Sequence, residues 1–395
     1  MHLGLARGLP QPVLCFLQAL SSALPPSTIP FSVVFEDHVM RRMLLPGRRR
    51  FPRRLLLGSA HLILSVCVFL FVVVPLIFRY SYTLQRSMLF LNFVRWPRNF
   101  NYSAPEKAGL SGTRNFHLTS DDGITLGVWQ ILPGVLINES RKVDASDEWY
   151  EAQLKDGKPV FLYMHGNSGS RAAEHRLQLY KVLRNMDYHV VAFDYRSYGD
   201  SSPVEPSEDG LVADGMFMYK WLQKRVGNSP LFVWGHSLGT GVSSHALAKL
   251  STEGIESYGL VLEAPFNNMR DELRAHPFAQ VFAFLPWFDN CFVWPMYNNG
   301  LKFDSDVHVS KIRAPVAILH AEDDRIVPFH LGQKLYHFML ENRSVQSLGE
   351  QFWRFESKFG YGHKYIYKDH SVPYIIKEFV ETSIEKRKKS TQKTD

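Results

Sequence analysis

Cysteine is scarce in this sequence. The 395 residues include three cysteines, Cys15, Cys67 and Cys291, and only Cys291 lies after residue 70. A disulfide framework or a cysteine-based zinc site needs several cysteines, so the chain beyond residue 70 can build neither. Its stability must come from an apolar core, and a hydrophobic content of 45% is adequate for one large domain or two smaller ones.

The sequence also lacks internal repeats, long low-complexity segments and the charge pattern of a nucleic-acid-binding protein. Its formal net charge of +7 is modest, and much of it lies in 41–54 and 385–393. A nucleic-acid site would place basic residues among aromatic ones on the folded part of the chain. The distribution therefore predicts no nucleic-acid partner and favours basic flanks of a membrane span and a basic tail.

One long apolar run is present at residues 55–78, LLLGSAHLILSVCVFLFVVVPLIF. About 20 such residues cross a bilayer, so the run predicts a transmembrane helix. Pro75, near its end, is tolerated in membrane helices. The alternative is a buried core helix, but core helices rarely run this far without a charge.

The flanks of this run predict its direction. Seven arginines precede it within 41–54, and four follow it, at positions 79, 86, 95 and 98. The positive-inside rule then places residues 1–54 in the cytosol and the chain after residue 79 across the membrane. Three N-x-S sequons after the run fit a luminal domain and are candidate glycosylation sites: Asn101, Asn138 and Asn342.

A second apolar stretch favours the opposite direction. Residues 13–24, VLCFLQALSSAL, resemble the apolar core of a signal peptide, and cleavage there would leave the folded domain in the cytosol. The stretch is short, and only Arg7 precedes it as a basic head. We therefore expect residues 1–54 to be an unstructured cytosolic extension.

Short apolar runs alternate with amphipathic ones from about residue 112, after a membrane-proximal linker at 79–111. This alternation predicts an α/β domain over 112–384, with a mostly parallel sheet flanked by helices, followed by a polar tail at 385–395. Functional sites in such domains lie at the carboxyl ends of the strands. Six strands are predicted: 124–129, 159–164, 189–193, 231–234, 258–263 and 315–320.

The connection after the strand at 258–263 is unusually aromatic. Ten aromatic residues lie between Phe266 and Phe303. The segment is either a satellite core under a long connection or a cap, at about 266–310, that admits an apolar chain. Arg270, Arg274 and Lys302 lie nearby and could meet a charged lipid head group, although solvation is the ordinary role of such residues.

The sequence WGHSLGTG contains G-x-S-x-G at Gly235, Ser237 and Gly239. It follows an apolar strand and opens a helix of small residues, the context in which this motif presents a nucleophilic serine on a sharp turn. The sequence MHGNSG, 164–169, follows the strand at 159–164. In this arrangement the backbone N–H groups of Asn167 and Leu238 would form an oxyanion hole.

A nucleophilic serine needs a base and an acid that follow it in the chain, in the order serine, acid, histidine. His330 and His337 follow the acid too closely and share one helix face. His363 lies in the Gly-rich loop FGYGHKYIY and is favoured over His370, which precedes a terminal helix. The acid should end the strand at 315–320, where the spacing leaves three candidates open: Glu322, Asp323 and Asp324.

Together these segments resemble the α/β-hydrolase family and, within it, the membrane-anchored lysophosphatidylserine lipases. The resemblance covers about 89–380, with the cap inserted after the sixth strand. The segments that carry it are LFLNFVRWP (89–97), HRLQLYKVL (175–183), GHSLGTGV (235–242), EAPFNN (263–268), ILHAEDDRIVPF (318–329) and YGHKYIYK (361–368).

The resemblance implies Ser237 as nucleophile, His363 as base and, because the family acid precedes x-x-V-P, Asp324 as the acid. Asp323 is then expected to be a solvated neighbour. Ser197 stands in the segment FDYRSYGDS where the family usually has glycine, which puts the conformation of that loop in question.

The resemblance further implies a single-pass protein of the endoplasmic reticulum with a luminal catalytic domain. It would hydrolyse fatty-acyl esters of lysophospholipids, such as lysophosphatidylserine, and of monoacylglycerols, without a metal or cofactor. Two other functions remain open: a protein depalmitoylase that uses the same residues, and a non-catalytic binding protein with a hydrolase fold. The second is disfavoured because nucleophile, acid and base are all present.

Overall fold

A computed structural model describes residues 53–143, 145–343 and 349–392. The predicted cytosolic extension up to residue 52, with the stretch 13–24, lies outside the described residues, as does the end of the predicted tail from residue 393. The chain divides into two units, Met1–Leu64 and Ser65–Asp395. The first contributes the opening turns of an apolar helix, and the second contains all the described strands.

The apolar helix consists of α1 (Arg53–Val68), a π-helical turn (Phe69–Val73) and α2 (Val74–Tyr80). Its portion Leu57–Tyr80 has the length and composition needed to cross a membrane, which agrees with the predicted run. The π turn ends two residues before Pro75, which has no N–H for the helical ladder and whose ring crowds the carbonyl four residues back.

The second unit is built around one eight-stranded sheet with the order β1-β2-β4-β3-β5-β6-β7-β8. β1 and β2 pair antiparallel with each other, β2 also pairs antiparallel with β4, and the remaining pairs are parallel. The strands are β1 (Thr113–Thr119), β2 (Thr125–Ile131), β3 (Val160–Met164), β4 (His189–Phe193), β5 (Leu231–His236), β6 (Gly259–Glu263), β7 (Val316–Ala321) and β8 (Gln351–Phe355).

The six predicted strands correspond to β2–β7, whereas β1 and β8 were not predicted. Every residue of β3–β7 is buried, because helices cover both faces of the sheet, and these strands therefore appear in the sequence as apolar runs. β1 and β8 are the two edge strands. They bury few residues and have mixed composition, so a search for apolar runs misses them.

Helices pack on both faces of the sheet, where alternate side chains of one strand enter different cores: Leu162 packs in one, Phe161 and Tyr163 in the other. The helices are α3 (Tyr82–Leu89), α4 (Ile137–Lys142), α5 (Asp147–Gln153), α6 (Glu174–Asn185), α7 (Glu208–Gln223), α8 (Leu238–Thr252), α9 (Met269–Ala275), α10 (Pro277–Gln280), α11 (Trp294–Asn298), α12 (Ser305–Val309), α13 (Phe329–Asn342) and α14 (Val372–Thr391). α3 lies within the predicted linker 79–111, and α14 continues into the segment predicted as a tail.

The long connection between β6 and β7 contains α9–α12 and is called the cap below. Part of it packs into the core on one face of the sheet, where Phe266, Phe288, Phe292 and Phe303 are buried. Another part is exposed, and it includes Phe278 and several other large apolar side chains. The buried part joins the core of the sheet rather than a satellite core, and admission of an apolar chain by the exposed part stays a prediction.

Candidate active site

Ser237 occupies the turn between β5 and α8, in a strained conformation with φ 54° and ψ −121°. Its N–H donates to Glu263 O at 3.0 Å, which fixes the turn against the neighbouring strand. A Cβ atom at Gly235 would lie 2.5 Å from Gly239 O, and a Cβ atom at Gly239 would overlap Met164 O. The two glycines of the motif are therefore required by the close approach of strand, turn and helix.

Asp324 follows β7, and its Oδ2 lies 2.7 Å from His363 Nδ1. The side chain is fully buried, and its Oδ1 accepts the backbone N–H groups of Ile326 and Val327 at 2.8 and 3.0 Å. Burial alone would raise the pKa of Asp324, but hydrogen bonds and positive charge from His320 and His363 outweigh it and lower the pKa. Asp324 is therefore ionised and directed at His363.

His320, a residue that the sequence did not single out, also contacts this acid. It lies in β7, where its Nε2 is 2.9 Å from Val327 O and 3.5 Å from Asp324 Oδ2. The imidazole is fully buried against Gly332, where any Cβ would collide with it. In the sequence, the feature that could have identified His320 is its position as the one polar residue near the end of an apolar strand.

Asp323 was predicted to be a solvated neighbour, but the structure gives it a hydrogen-bond partner. It is half-buried, and its Oδ1 accepts the N–H of Gly362 at 3.0 Å. Gly362 has a positive φ of 49° and precedes His363. The two adjacent acids therefore have separate partners: Asp324 binds the histidine ring and Asp323 binds the backbone beside it.

Ser237 and His363 are linked through His236, the last residue of β5. His236 Nε2 lies 2.9 Å from His363 O, and the centroids of the two rings are 5.0 Å apart. Burial and the nearby charge of His363 hold the pKa of His236 well below its usual value, so His236 is neutral and donates to this carbonyl. Among the described residues no hydrogen bond joins Ser237 Oγ to His363, and such bonds commonly tighten only when substrate binds.

Asn167 lies in the loop after β3, and this loop contacts the membrane-proximal segment, residues 89–96. Its Nδ2 donates to Leu89 O at 3.1 Å. The Tyr198 hydroxyl lies 2.9 Å from Phe90 O and 3.0 Å from Asn167 O. The sequence of 89–97 predicted no role in the site, yet this segment contacts the loop that was predicted to supply an oxyanion-hole donor.

Arg176, on α6, binds the same loop from the other side. The guanidinium is buried and donates to the carbonyl oxygens of Ser170 and Ser168 at 2.5 and 2.7 Å. A buried arginine bound to main-chain carbonyls fixes the orientation of their peptide planes. The role of Arg176 was not predicted, because a basic side chain in an amphipathic helix is ordinary and does not indicate a buried contact.

Ser197 adopts the conformation expected of the glycine it replaces. Its φ is 71°, in the left-handed region, which costs a non-glycine residue about 1 kcal/mol. Its hydroxyl accepts a hydrogen bond from Asn92 Nδ2 at 2.6 Å. Ser197 therefore takes up the conformation that favours glycine, and Asn92 of the membrane-proximal segment holds its side chain.

Two buried glutamates lie near these residues. Glu263 Oε2 accepts the indole N–H of Trp234 at 2.9 Å, and burial raises the pKa of Glu263 to about 7. Glu272, on α9 of the cap, has a buried Oε2 without a hydrogen bond to any described residue. Burial, together with the negative charge of Asp324, raises the pKa of Glu272 to about 8.

The basic residues near the cap have protein partners. Arg274 pairs with Asp289 at 2.8 Å. Arg270 and Lys302 lie over the ring of Tyr297, 5.2 and 4.9 Å from its centroid. The three sequon asparagines are exposed, although the serine of the third sequon lies outside the described residues: Asn101, Asn138 and Asn342.

Comparison with solved structures shows the fold. An α/β-hydrolase from Vibrio vulnificus superposes with a TM-score of 0.54 at 16% identity, covering 78% of this chain and 94% of the other. The Pyrococcus furiosus esterase Pf2001 gives a TM-score of 0.52 at 20% identity, covering 74% and 97%.

Comparison with known sequences shows the family. Residues 159–273 match the alpha/beta hydrolase fold family. Lysophosphatidylserine lipase ABHD12 of Danio rerio is 42% identical over 332 residues, which cover 84% of this chain and 86% of the relative. The protein of the same name from Rattus norvegicus is 40% identical, covering 87% and 84%. The chain is a serine hydrolase of the lipase and esterase type, and it belongs to the ABHD12 family of α/β hydrolases.

Proposed function

We propose that Ser237, His363 and Asp324 form a catalytic triad that hydrolyses fatty-acyl esters. The observation that carries this proposal is the 2.7 Å contact between a buried, ionised Asp324 and His363. The strained turn at Ser237, joined to the His363 loop through His236, supports it.

In the proposed reaction, His363 Nε2 takes the proton of the Ser237 hydroxyl as its oxygen attacks the acyl carbon. His363 then gives this proton to the departing alcohol oxygen, which leaves an acyl-enzyme. Water, deprotonated by the same imidazole, releases the fatty acid and restores Ser237. Asp324 accepts from Nδ1–H, holds the tautomer with a free Nε2 and stabilises the imidazolium.

The oxyanion of the tetrahedral intermediate is assigned to the backbone N–H groups of Asn167 and Leu238. Leu238 is the first residue of α8, where N–H groups lack intrahelical partners and the helix dipole favours negative charge. Asn167 lies in the loop that Arg176 and Tyr198 fix. Pre-oriented donors of this kind can lower a barrier by several kcal/mol.

The proposed substrates are lysophospholipids, lysophosphatidylserine among them, and monoacylglycerols. The names of the relatives support the first class. The apolar side chains of the cap support a substrate with one long acyl chain. A single-chain lipid ester combines this apolar requirement with the ester chemistry of the triad.

We further propose a single-pass protein of the endoplasmic reticulum membrane, with residues 1–54 cytosolic and the domain 112–384 luminal. The excess of arginines before the apolar run supports this direction. A glycosidase-sensitive shift in gel mobility, lost when Asn101, Asn138 and Asn342 are all replaced by Gln, is expected. If the wild-type chain expressed in mammalian cells carries no N-glycan, that result would count against the luminal assignment.

The catalytic proposal is tested with Ser237→Ala. Loss of the nucleophile should reduce hydrolysis of lysophosphatidylserine by at least about 10³-fold and abolish labelling by a fluorophosphonate reagent. Ser243→Ala, a serine in α8 outside the proposed triad, is the matched control and should retain labelling. Undiminished hydrolysis by a folded Ser237→Ala protein would refute the assignment.

A further inference from the structure

The cap contains an uncharged segment whose large side chains face outward. Residues 277–288, PFAQVFAFLPWF, include no acidic or basic residue. Phe278 is 76% exposed and Phe284 is 68% exposed, and Val281 between them is exposed as well. A water-soluble surface rarely presents a continuous apolar patch of this kind, so another apolar phase or molecule is expected to cover it.

The same segment contacts the apolar helix. The ring of Phe71 lies 5.4 Å from that of Phe284 and 6.2 Å from that of Phe282, edge to face in both pairs. The indole Nε1 of Trp287 donates to Phe71 O at 3.1 Å. Pro75, four residues after Phe71, has no N–H to donate to that carbonyl, so the cap supplies a hydrogen bond where the helical ladder cannot.

Two further contacts lie towards the end of the helix. The rings of Phe78 and Phe292 are 5.0 Å apart. Arg79 Nη1 donates to Asn290 O at 2.7 Å. From Phe71 to Arg79 the cap therefore follows the helix for more than two turns.

These contacts give the depth of the cap in a bilayer. Phe71 precedes Arg79 by eight residues, which is about 12 Å along a helix that rises ~1.5 Å per residue. One leaflet of the hydrocarbon core is about 15 Å thick. With Arg79 at the surface of the membrane, Phe71 lies well inside the leaflet, and the cap side chains that touch it must lie at a similar depth.

We propose that residues 277–287 insert among the acyl chains of the leaflet on the side of the catalytic domain. The occupant of this surface is the lipid of the membrane that the helix crosses, so the inference rests on the membrane anchor of the proposed function. The protein then has two contacts with the bilayer, the helix and the cap. A single-chain lipid can reach the cap from the leaflet without passing through water.

The depth of the cap is measured by fluorescence on the full chain in phosphatidylcholine vesicles. Phe278→Cys and Phe284→Cys are labelled with NBD in a background where the native cysteines are replaced by Ala: Cys15, Cys67 and Cys291. Both labels should emit at short wavelength and be quenched by lipids that carry a doxyl group midway along the acyl chain. Val135→Cys, 60% exposed and apolar but remote in sequence from cap and helix, is the control and should give water-like, unquenched emission.

Two results would overturn the proposal. One is water-like emission at both cap positions. The other is short-wavelength emission that the acyl-chain quencher does not reduce, because a protein surface such as a second copy would then cover the cap.

A kinetic measurement separates this inference from the proposed chemistry. For Phe284→Ser, the ratio of the rate on lysophospholipid in vesicles to the rate on soluble p-nitrophenyl butyrate should fall about tenfold, whereas Val135→Ser leaves the ratio unchanged. An unchanged ratio in Phe284→Ser contradicts cap insertion. Failure of the wild-type protein on both substrates would instead refute the proposed function, and the fluorescence result would still stand.

Discussion

The loops at the carboxyl edge of the sheet and the cap that lies beyond them are stabilised in opposite ways. The loop that contains Asn167 is fixed by hydrogen bonds from Arg176 on one side and Tyr198 on the other. The cap segment 277–287 has few polar side chains and presents large apolar ones. Polar contacts give the fixed geometry that the proposed catalysis needs, whereas the proposed contact of the cap with lipid needs an apolar surface.

The largest effect should come from Asp324, the proposed triad acid. In Asp324→Asn the amide can donate to His363 Nδ1, which favours the tautomer whose Nε2 carries the proton and cannot accept one from Ser237. We expect kcat to fall about 10³- to 10⁴-fold. Steady-state hydrolysis of a soluble ester by the purified full-length protein measures this.

The neighbouring acid provides the matched control. Asp323→Asn keeps a side-chain oxygen that can accept the N–H of Gly362, so kcat should fall less than about tenfold. An equal loss in both variants would show that the two acids cannot be separated, and a larger loss in Asp323→Asn would reverse their assignment.

A smaller effect is expected from the contact between the loop that contains Asn167 and the membrane-proximal segment. Tyr198→Phe removes the hydroxyl that lies between Phe90 O and Asn167 O. We expect the free energy of unfolding to fall by about 1–2 kcal/mol, and kcat to fall about tenfold with KM unchanged. Thermal unfolding and steady-state kinetics measure the two quantities.

Tyr180→Phe is the control for this change. Tyr180 is fully buried on α6, and its hydroxyl has no hydrogen-bond partner among the described residues. Removal of an unpaired buried hydroxyl should leave stability unchanged or raise it. If Tyr198→Phe is as stable and as active as Tyr180→Phe, the hydrogen bonds of Tyr198 do not fix the loop that contains Asn167.

Much of the fold was predictable because its central strands are buried on both faces. Such strands appear as apolar runs whatever their neighbours, and all six that were predicted are present as β2–β7. β1 and β8 depend on pairing with a single neighbour and bury few side chains. Their residues contain no local pattern that distinguishes them from loops, so their existence follows only from the assembled sheet.

The site shows the same division. The sharp turn at Ser237 was predictable because its glycines are dictated by local sterics, whereas the choice of Asp324 over Asp323 came from the resemblance rather than from spacing, and the catalytic roles stay proposals. Tyr198 contacts Phe90 and Asn167, which lie in distant parts of the chain. Arg176 and His320 contact residues close to them in sequence, but no sequence pattern indicates those contacts. The position of the cap beside Phe71 is likewise a long-range contact, which the aromatic composition of the cap did not predict.

The smallest expected effect tests the buried carboxyl of Glu272 in the cap, whose Oε2 has no hydrogen-bond partner among the described residues. Burial raises the pKa of Glu272 from its ordinary value of 4.5 to about 8. The unfolded chain releases this proton above pH 4.5, whereas the folded chain retains it up to about pH 8, so the wild-type protein loses stability as pH rises through this window. Glu272→Gln cannot ionise and should avoid that loss.

The thermal midpoint of Glu272→Gln should therefore exceed that of the wild type by about 2–4 °C at pH 8.5 and by less at pH 5. Glu106→Gln, at an exposed position, controls for the general loss of one negative charge. A difference in midpoint that is the same at both pH values would mean that Glu272 is ionised throughout. Its carboxylate would then need a partner in the folded cap, and the contrast between loops fixed by polar contacts and an apolar cap would no longer hold.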